Sequence, residues 1–544
     1  MGERGSGVVN TSGRFSHPRG VSILLRMALS STGAGAVRSR MNVGARLRSP
    51  AATQLVVAAV CLLPVLMTAR FLFEPLTRDE AVYATIANGL LHGQVPYRDL
   101  FDQKPPLIYG WYLLSFFVFG EHDYAPRLLG VIVLMLTSLM LFFAGKELAS
   151  RRAGLVAATI FGISTGAAAI APWSNVEPFM LLPLTASLAA YARGRGRGDR
   201  WVLLAGALAG IALMTKPVAV FNVAALGIDI LWDLRRGDIA RRRVLKRAVL
   251  YGGGVACVAG AIVLPFVVVG AMREFVYSNI TYNQLYAARY SAGTKFAAGI
   301  RNGLAFLIAT APLVFAAAVA VVLAMRRRSR SRMIVVGWLV ASALAVASPG
   351  RFYGHYFIQL LPALALVIGM AASELRGVLR VRFAGPACAG AMIGLTFITL
   401  RATVPFYAPA TPAARASFRD PGPGGVRQAG ARAIGLYLRA HTNAGDRVFV
   451  WGRESEIYFY SGRTPATRFL FDQPFWVDPA TLAQAIAQLR AHPPAYIADT
   501  MAGELAPQPD PARPAAFQQL LSDLYTYVGR EEFADIYVLK PGGR

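Results

Sequence analysis

Thr77-Arg-Asp-Glu-Ala-Val-Tyr83 and, farther on, Phe101-Asp-Gln-Lys-Pro-Pro-Leu-Ile-Tyr109 bound a charged, proline-bearing island that follows directly on an apolar run of membrane length. What surrounds the island decides the fold. The 544 residues are 55% hydrophobic and 16% charged, and the apolar ones gather in blocks of about 15 to 23, near the ~20 residues that cross a bilayer. A polytopic α-helical membrane protein is therefore expected. The formal net charge of +27 raises nucleic acid as a partner. The basic residues, however, sit in short clusters between apolar blocks, where positive charge sets membrane orientation, so no nucleic-acid partner is expected. Cys61, Cys257 and Cys388 each lie inside apolar blocks, and no pair has the spacing of metal ligands.

Apolar blocks fall near 53–72, 126–145, 153–171, 176–193, 201–215, 217–233, 248–270, 303–325, 332–349, 356–372 and 384–403. Counted as spans they make about eleven transmembrane helices. Residues 1–52 carry eight arginines against the single acid Glu3 and are rich in Gly and Ser, which reads as a disordered basic tail. With that tail cytoplasmic, every second connection should be cytoplasmic and basic. Lys146 to Arg152, Arg193 to Arg200, Arg235 to Arg247, Arg326 to Arg332 and Arg376 to Arg382 all comply. Pro105 to Phe119 is also apolar, but counting it as a span would turn all five basic loops outward. It is read as an interfacial or re-entrant helix led in by Pro105-Pro106. Residues 201–215 and 217–233 could alternatively form one broken helix.

The outer face then collects the loop 73–125, the turn Pro172 to Pro178, the region of Lys216, the loop 271–302, the turn Ser348 to Tyr356 and everything after about 404. Beyond a Pro/Gly-rich linker, 404–425, the pattern turns soluble. Helical stretches near 426–441, 479–491 and 515–524 alternate with strand-like runs at Arg447 to Trp451, Ala495 to Ala498 and Phe533 to Leu539. An extracytoplasmic α/β domain at 426–544 is expected behind a transmembrane domain at 53–403.

Asp79 and Glu80 are adjacent carboxylates at the head of a helical pattern, where acids favour the helix dipole and Thr77 can cap. Lys104 is one of six lysines in an arginine-rich chain and stands in the same loop. A lysine at a membrane face suits a phosphate head group, although snorkelling explains many. The loop Tyr277, Tyr282, Asn283, Gln284, Tyr286, Tyr290 fits equally a sugar-stacking surface and an interfacial aromatic belt.

Asp79-Glu80-Ala-Val-Tyr83, then Gly93 with Pro96-Tyr97, Lys104-Pro105-Pro106-Leu107 and Arg127 together resemble the first outer loop of GT-C-type glycosyltransferases. Within that fold the chain is similar to the dolichyl-phosphate-mannose protein mannosyltransferase-like family, glycosyltransferase family 39, and its bacterial relatives, the lipid A aminoarabinose transferase among them. Arg151-Arg152-Ala153-Gly154, Met214-Thr215-Lys216 and the run from Arg351 through His355-Tyr356 to Pro362 extend the resemblance over roughly residues 52 to 400.

The resemblance implies an enzyme that takes a sugar from a polyprenyl-phosphate donor and passes it, with inversion, to a lipid, glycan or protein acceptor on the outer side, and the Ala/Arg bias of the chain points to a bacterial inner membrane. It makes Asp79 the catalytic base, Glu80 its acidic neighbour and Lys104 the lysine facing the lipid phosphate. Tyr97, Arg127, Glu177, Lys216, Arg351, His355 and Tyr356 complete the expected substrate-binding set. Inverting transfer needs a base and a cation on opposite faces of the sugar, and lysine and arginine can receive the departing phosphate. No cofactor is expected, with a divalent cation left open. The reading from another class is a flippase or transporter of lipid-linked sugars, which should show internal repeats or ionisable residues at mid-membrane.

Overall fold

The computed structural model describes residues 50–166, 174–237, 239–327, 329–378, 423–501 and 514–542, with the single residues 394 and 411. Nearly all of the basic tail, the apolar block at 384–403 and the linker, and Cys388 with them, lie outside the described residues. The chain divides into two compact units, Met1–Ala58 and Ala59–Arg544. Both apolar cores belong to the second.

The first apolar block breaks at Leu62 into α1 (Pro50–Cys61) and α2 (Leu63–Thr68), with Pro64 in the first turn of α2 and no N–H there to continue the helix. The island opens with α3 (Arg78–Leu91). Thr77 and Glu80 form a capping box: the threonine side chain takes the Glu80 backbone N–H, and the Glu80 carboxylate accepts the Thr77 N–H at 2.8 Å. After Pro105-Pro106 comes α4 (Leu107–Phe119), with Leu114, Phe117 and Val118 exposed.

A helical bundle follows, made of α5 (Ala125–Leu148), α6 (Arg151–Ser164), α7 (Val176–Arg197), α8 (Arg200–Thr215), α9 (Val220–Arg236) and α10 (Arg241–Val268). Glycine sets its tightest crossings. A Cβ on Gly154 of α6 would meet the Phe142 carbonyl of α5, and one on Gly206 of α8 would meet the Tyr251 carbonyl of α10. Gly206→Val is therefore expected to destabilise the protein by about 1–3 kcal/mol through overpacking. The check is thermal unfolding in detergent, where an unchanged midpoint would show that this crossing does not require glycine.

Short helices α11 (Met272–Val276) and α12 (Tyr282–Ala288), joined by a π-helical turn at Tyr277–Thr281, carry the aromatic loop. Next come α13 (Ala292–Ala309), α14 (Ala311–Arg327), α15 (Arg330–Ala347) and a 3-10 turn, Gly354–Leu360, that leads into α16 (Leu361–Val378).

The expectation of about eleven spans is corrected by these helices. Among the described residues five are long and apolar enough to cross a membrane: Ala125–Leu148, Pro217–Arg236, Arg241–Val268, Arg330–Ala347 and Gly354–Ser373. Ala292–Ala309 and Ala311–Arg326, bent by 91°, add a sixth if taken as one broken span. Composition sees apolar blocks but not where helices stop. α6 has 14 described residues and α8 has 16, which at 1.5 Å per residue reach about 21–24 Å, short of a ~30 Å hydrocarbon core. The first block is split, and α7 carries Glu177, Pro183 and terminal arginines. The protein remains a polytopic helical membrane protein.

The C-terminal region contains α17 (Pro423–His441), β1 (Arg447–Trp451), α18 (Glu456–Ser461), β2 (Thr464–Pro465), α19 (Gln473–Val477), α20 (Pro479–Ala491), β3 (Tyr496–Asp499), α21 (Ala515–Leu524), β4 (Tyr525–Glu531) and β5 (Ala534–Leu539). The sheet runs β2-β1-β3-β5-β4, with β1 parallel to β2 and β3, and β5 antiparallel to β3 and β4. This α/β region shares one apolar core with the island. The Phe101 N–H donates to the Arg468 carbonyl at 2.6 Å, the Leu76 N–H to the Tyr460 hydroxyl at 2.9 Å, and the Ser455 hydroxyl to the Arg78 carbonyl at 2.9 Å. The last two contacts clasp the chain on either side of Thr77, where α3 begins.

Candidate active site

Neighbouring residues on a helix point about 100° apart, and Asp79 and Glu80 diverge accordingly. Glu80 is fully buried. Its Oε1 accepts the Ser174 N–H at 3.1 Å and hydroxyl at 2.7 Å, and its Oε2 accepts the Thr77 N–H at 2.8 Å and Arg127 Nη2 at 2.7 Å. Burial pushes the carboxyl up, but Arg127 and these hydrogen bonds outweigh it and hold the group at about 2. Arg127 has five donors. Nε reaches Glu80 Oε1 at 3.4 Å, Nη1 serves the carbonyls of Phe71 at 3.0 Å and of Glu74, and Nη2 serves Pro75 O at 2.7 Å besides Glu80. Glu80 and Arg127 thus spend their hydrogen-bonding capacity on pinning the segment 71–80.

Asp79 points the other way and keeps partial solvent contact. Burial pushes its carboxyl up, yet Lys104, Arg78 and His355, together with a hydrogen bond from Asn175, hold it below its ordinary value. Lys104, likewise part-exposed, is drawn down by desolvation and lifted above its ordinary value by Asp102 and Asp79. At neutral pH the two face each other as carboxylate and ammonium.

The backbone of Lys104 is held by two tyrosines. Its carbonyl accepts the Tyr97 hydroxyl at 2.7 Å and the Tyr109 hydroxyl at 3.1 Å. Tyr97 has φ +71°, in the left-handed region that a non-glycine residue enters at a cost. It has no exposed surface and meets Tyr109 and Phe275 edge-on and Phe266 at a tilt. Although expected among the substrate contacts, Tyr97 is joined to Lys104 through the lysine's backbone carbonyl.

Glu177, in the first turn of α7, lies 1% exposed with its Oε1 on Lys216 Nζ and 3.8 Å from His355 Nε2. Lys216 Nζ also stands over the Tyr356 ring, 4.1 Å from its centroid. α7, the break between α8 and α9, and the 354–360 turn therefore converge on this one acid. Glu177 Oε2 is buried without a hydrogen-bond partner. Arg351 binds the hydroxyls of Tyr286 and of Tyr290, the latter at 2.6 Å, and lies over both rings. The aromatic loop that sequence left between two readings is turned, at Tyr286 and Tyr290, toward this arginine.

Sequence reasoning passed over Asn175, which caps α7 and hydrogen-bonds Asp79. Its neighbour Glu177 and its cap position were the available signal. It also passed over Glu454, Glu456 and Asp472, whose charges act on Arg78 from the α/β region. These lie more than 370 residues away in sequence, and no local pattern joins them to the island.

A sequence profile of the family described as dolichyl-phosphate-mannose-protein mannosyltransferase matches residues 103–269. The undecaprenyl phosphate-alpha-4-amino-4-deoxy-L-arabinose arabinosyl transferase of Serratia proteamaculans is 27% identical over 230 residues, covering 40% of this chain and 39% of that protein. Its counterpart in Pectobacterium atrosepticum is 29% identical over 231 residues, with the same shares. These matches span about two fifths of the length of the curated relatives. Among solved structures, ArnT from Cupriavidus metallidurans bound to undecaprenyl phosphate superimposes with a TM-score of 0.58 at 15% identity, over 91% of this chain and 99% of that one. An Archaeoglobus fulgidus oligosaccharyltransferase gives 0.51 at 14% identity, over 82% and 68%. The fold is therefore that of the GT-C superfamily of membrane glycosyltransferases. Within it, this chain is related to the ArnT-like and protein-mannosyltransferase-like lipid-linked sugar transferases.

Proposed function

We propose that the protein transfers a sugar from a polyprenyl-phosphate donor to an acceptor hydroxyl at the extracytoplasmic face of a bacterial inner membrane, with inversion at the anomeric carbon. The N-terminus would then be cytoplasmic and the α/β region outside. The observation that carries this reading is the Asp79–Lys104 pair: a carboxylate held ionised and an ammonium held charged, each acting on the other and both part-exposed. The likeness to ArnT bound to undecaprenyl phosphate and to the arabinosyl transferases supports a lipid-phosphate donor.

In the proposed step Asp79 takes the proton of the acceptor hydroxyl as its oxygen bonds to the anomeric carbon. The bond from that carbon to the phosphate oxygen breaks on the opposite face, and the electron pair leaves with the phosphate, whose growing charge falls to Lys104. In the empty site Lys104 keeps Asp79 a weak base. A phosphate neutralises that ammonium, so donor binding itself raises the basicity of Asp79. Glu177, Lys216, His355 and Tyr356 are assigned to the sugar and Arg351 to the outer rim. Glu80, Arg127 and Tyr97 are assigned to positioning.

Lys104→Ala is expected to weaken donor binding by roughly 10- to 100-fold, as for loss of a charge-assisted hydrogen bond of ~1.5–3 kcal/mol. It should also shift the acid limb of activity upward, because Asp79 loses the charge that holds its pKa down. The test is reconstituted transfer with a polyprenyl-phosphate sugar, with KM and the pH profile measured together. An unchanged donor KM would remove the phosphate role from Lys104.

A further inference from the structure

A cavity of about 500 Å³ opens between α13 and the turn that carries Arg351 and Tyr353. Its charge differs from that of the Asp79–Lys104 pair. Lys295, Arg301 and Arg351 line it, and no carboxylate does. The stem of Lys295 packs on Gly350, and Gly299 packs on the Phe352 ring, so α13 is seated against the turn. Tyr290 and Tyr353 line this cavity too. Tyr353 stacks with His355 and meets Tyr356 edge-on, so the cavity adjoins the Glu177–Lys216–His355 cluster across this tyrosine.

The outward side of α13 adds an independent observation. Phe296, Ile300, Leu304 and Ile308 are all more than half exposed and recur every four residues, one apolar stripe on a single helix face. A cationic cavity beside a lipid-facing stripe suits an amphiphile, with its anionic head inside and its hydrocarbon chain along the helix.

We propose that this cavity is a second lipid-phosphate site, selective for a phosphate monoester. Three cations with no acid among the lining match a dianionic monoester better than the single charge of a phosphodiester. The inference deepens the function proposed above and rests on it for the identity of the lipid. Loss of the sugar from a polyprenyl-phosphate donor leaves such a monoester, and the cavity gives the spent carrier a place apart from Lys104 while the next donor enters.

The full chain in lipid nanodiscs, titrated with a polyprenyl monophosphate and read by native mass spectrometry, tests this without turnover. Two equivalents are expected to bind. Lys295→Gln with Arg301→Gln should weaken the second at least tenfold and leave the first, whereas Lys104→Ala should weaken the first. Both substituted residues of the double variant are partly or wholly exposed, and an unchanged melting temperature confirms that it folds. A single equivalent on the wild type, or two undiminished on the double variant, overturns the proposal. So does a phosphatidylglycerol that displaces the second equivalent as well as the monoester itself does. If the first equivalent survives Lys104→Ala while the second behaves as expected, the failure lies with the donor assignment instead.

Discussion

Asp79→Asn is expected to lower sugar transfer by about 10²- to 10⁴-fold, the range for loss of a positioned general base. Asparagine keeps the shape and can still meet Asn175, so expression and melting temperature should hold. The substitution also frees Lys104 from its counter-charge, so donor binding should be unchanged or tighter. A fall in kcat without a rise in donor KM separates the loss of a base from damage to the binding site. The pH profile adds a sign. The Asp79 carboxyl lies below its ordinary value of 3.8, so its contribution in the free enzyme is present above that pH and lost only as pH falls through the lowered pKa. Undiminished turnover in Asp79→Asn would remove the residue from the mechanism.

Arg127→Ala should have the largest effect on stability. It strands Glu80 as a buried carboxyl and deprives the carbonyls of Phe71, Glu74 and Pro75 of their donors. Breaking a buried ion pair by removing one partner costs about 3–5 kcal/mol. The pH dependence should reverse as well. In the wild type Glu80 is lowered from 4.5 to about 2. That shift is worth about 3 kcal/mol, fully present above pH 4.5 and lost as pH falls toward 2. Without Arg127, burial prevails and the folded pKa rises above the unfolded one, so the protonated form is favoured and stability is lost as pH rises. Melting temperature should therefore climb for the wild type from pH 3 toward 4.5 and then level, whereas for Arg127→Ala it should fall as pH rises above 4.5. Parallel slopes would show that Arg127 is not what keeps Glu80 ionised.

These two outcomes divide a pair of acids that sequence presents side by side. Asp79-Glu80 reads as one acidic motif, and the resemblance assigns both to catalysis. Their separation depends on where Arg127, Ser174 and Asn175 sit in space, between about 40 and 100 residues along the chain. Tyr97 is similar: the motif marks it, but its ring is buried and its hydroxyl is spent on the Lys104 carbonyl.

The span count failed for a related reason. An apolar block records composition, whereas a span requires an unbroken helix of sufficient length. Leu62 and Thr310 interrupt runs that are continuous in hydropathy, because helix termini follow local backbone hydrogen bonding and packing.

The sequence by itself determined the membrane class, the α/β character of the C-terminal region and the place of the charged island at 77–109, since composition, periodicity and motif are all local. The tertiary structure alone decided which acid is pinned by Arg127 and which faces Lys104, what Arg127 and Arg351 contact, and that the α/β region clasps the start of α3. Each of these depends on charges and hydrogen-bonding groups brought together from distant segments. Their energy comes from three-dimensional proximity and burial, which the order of residues along the chain does not display.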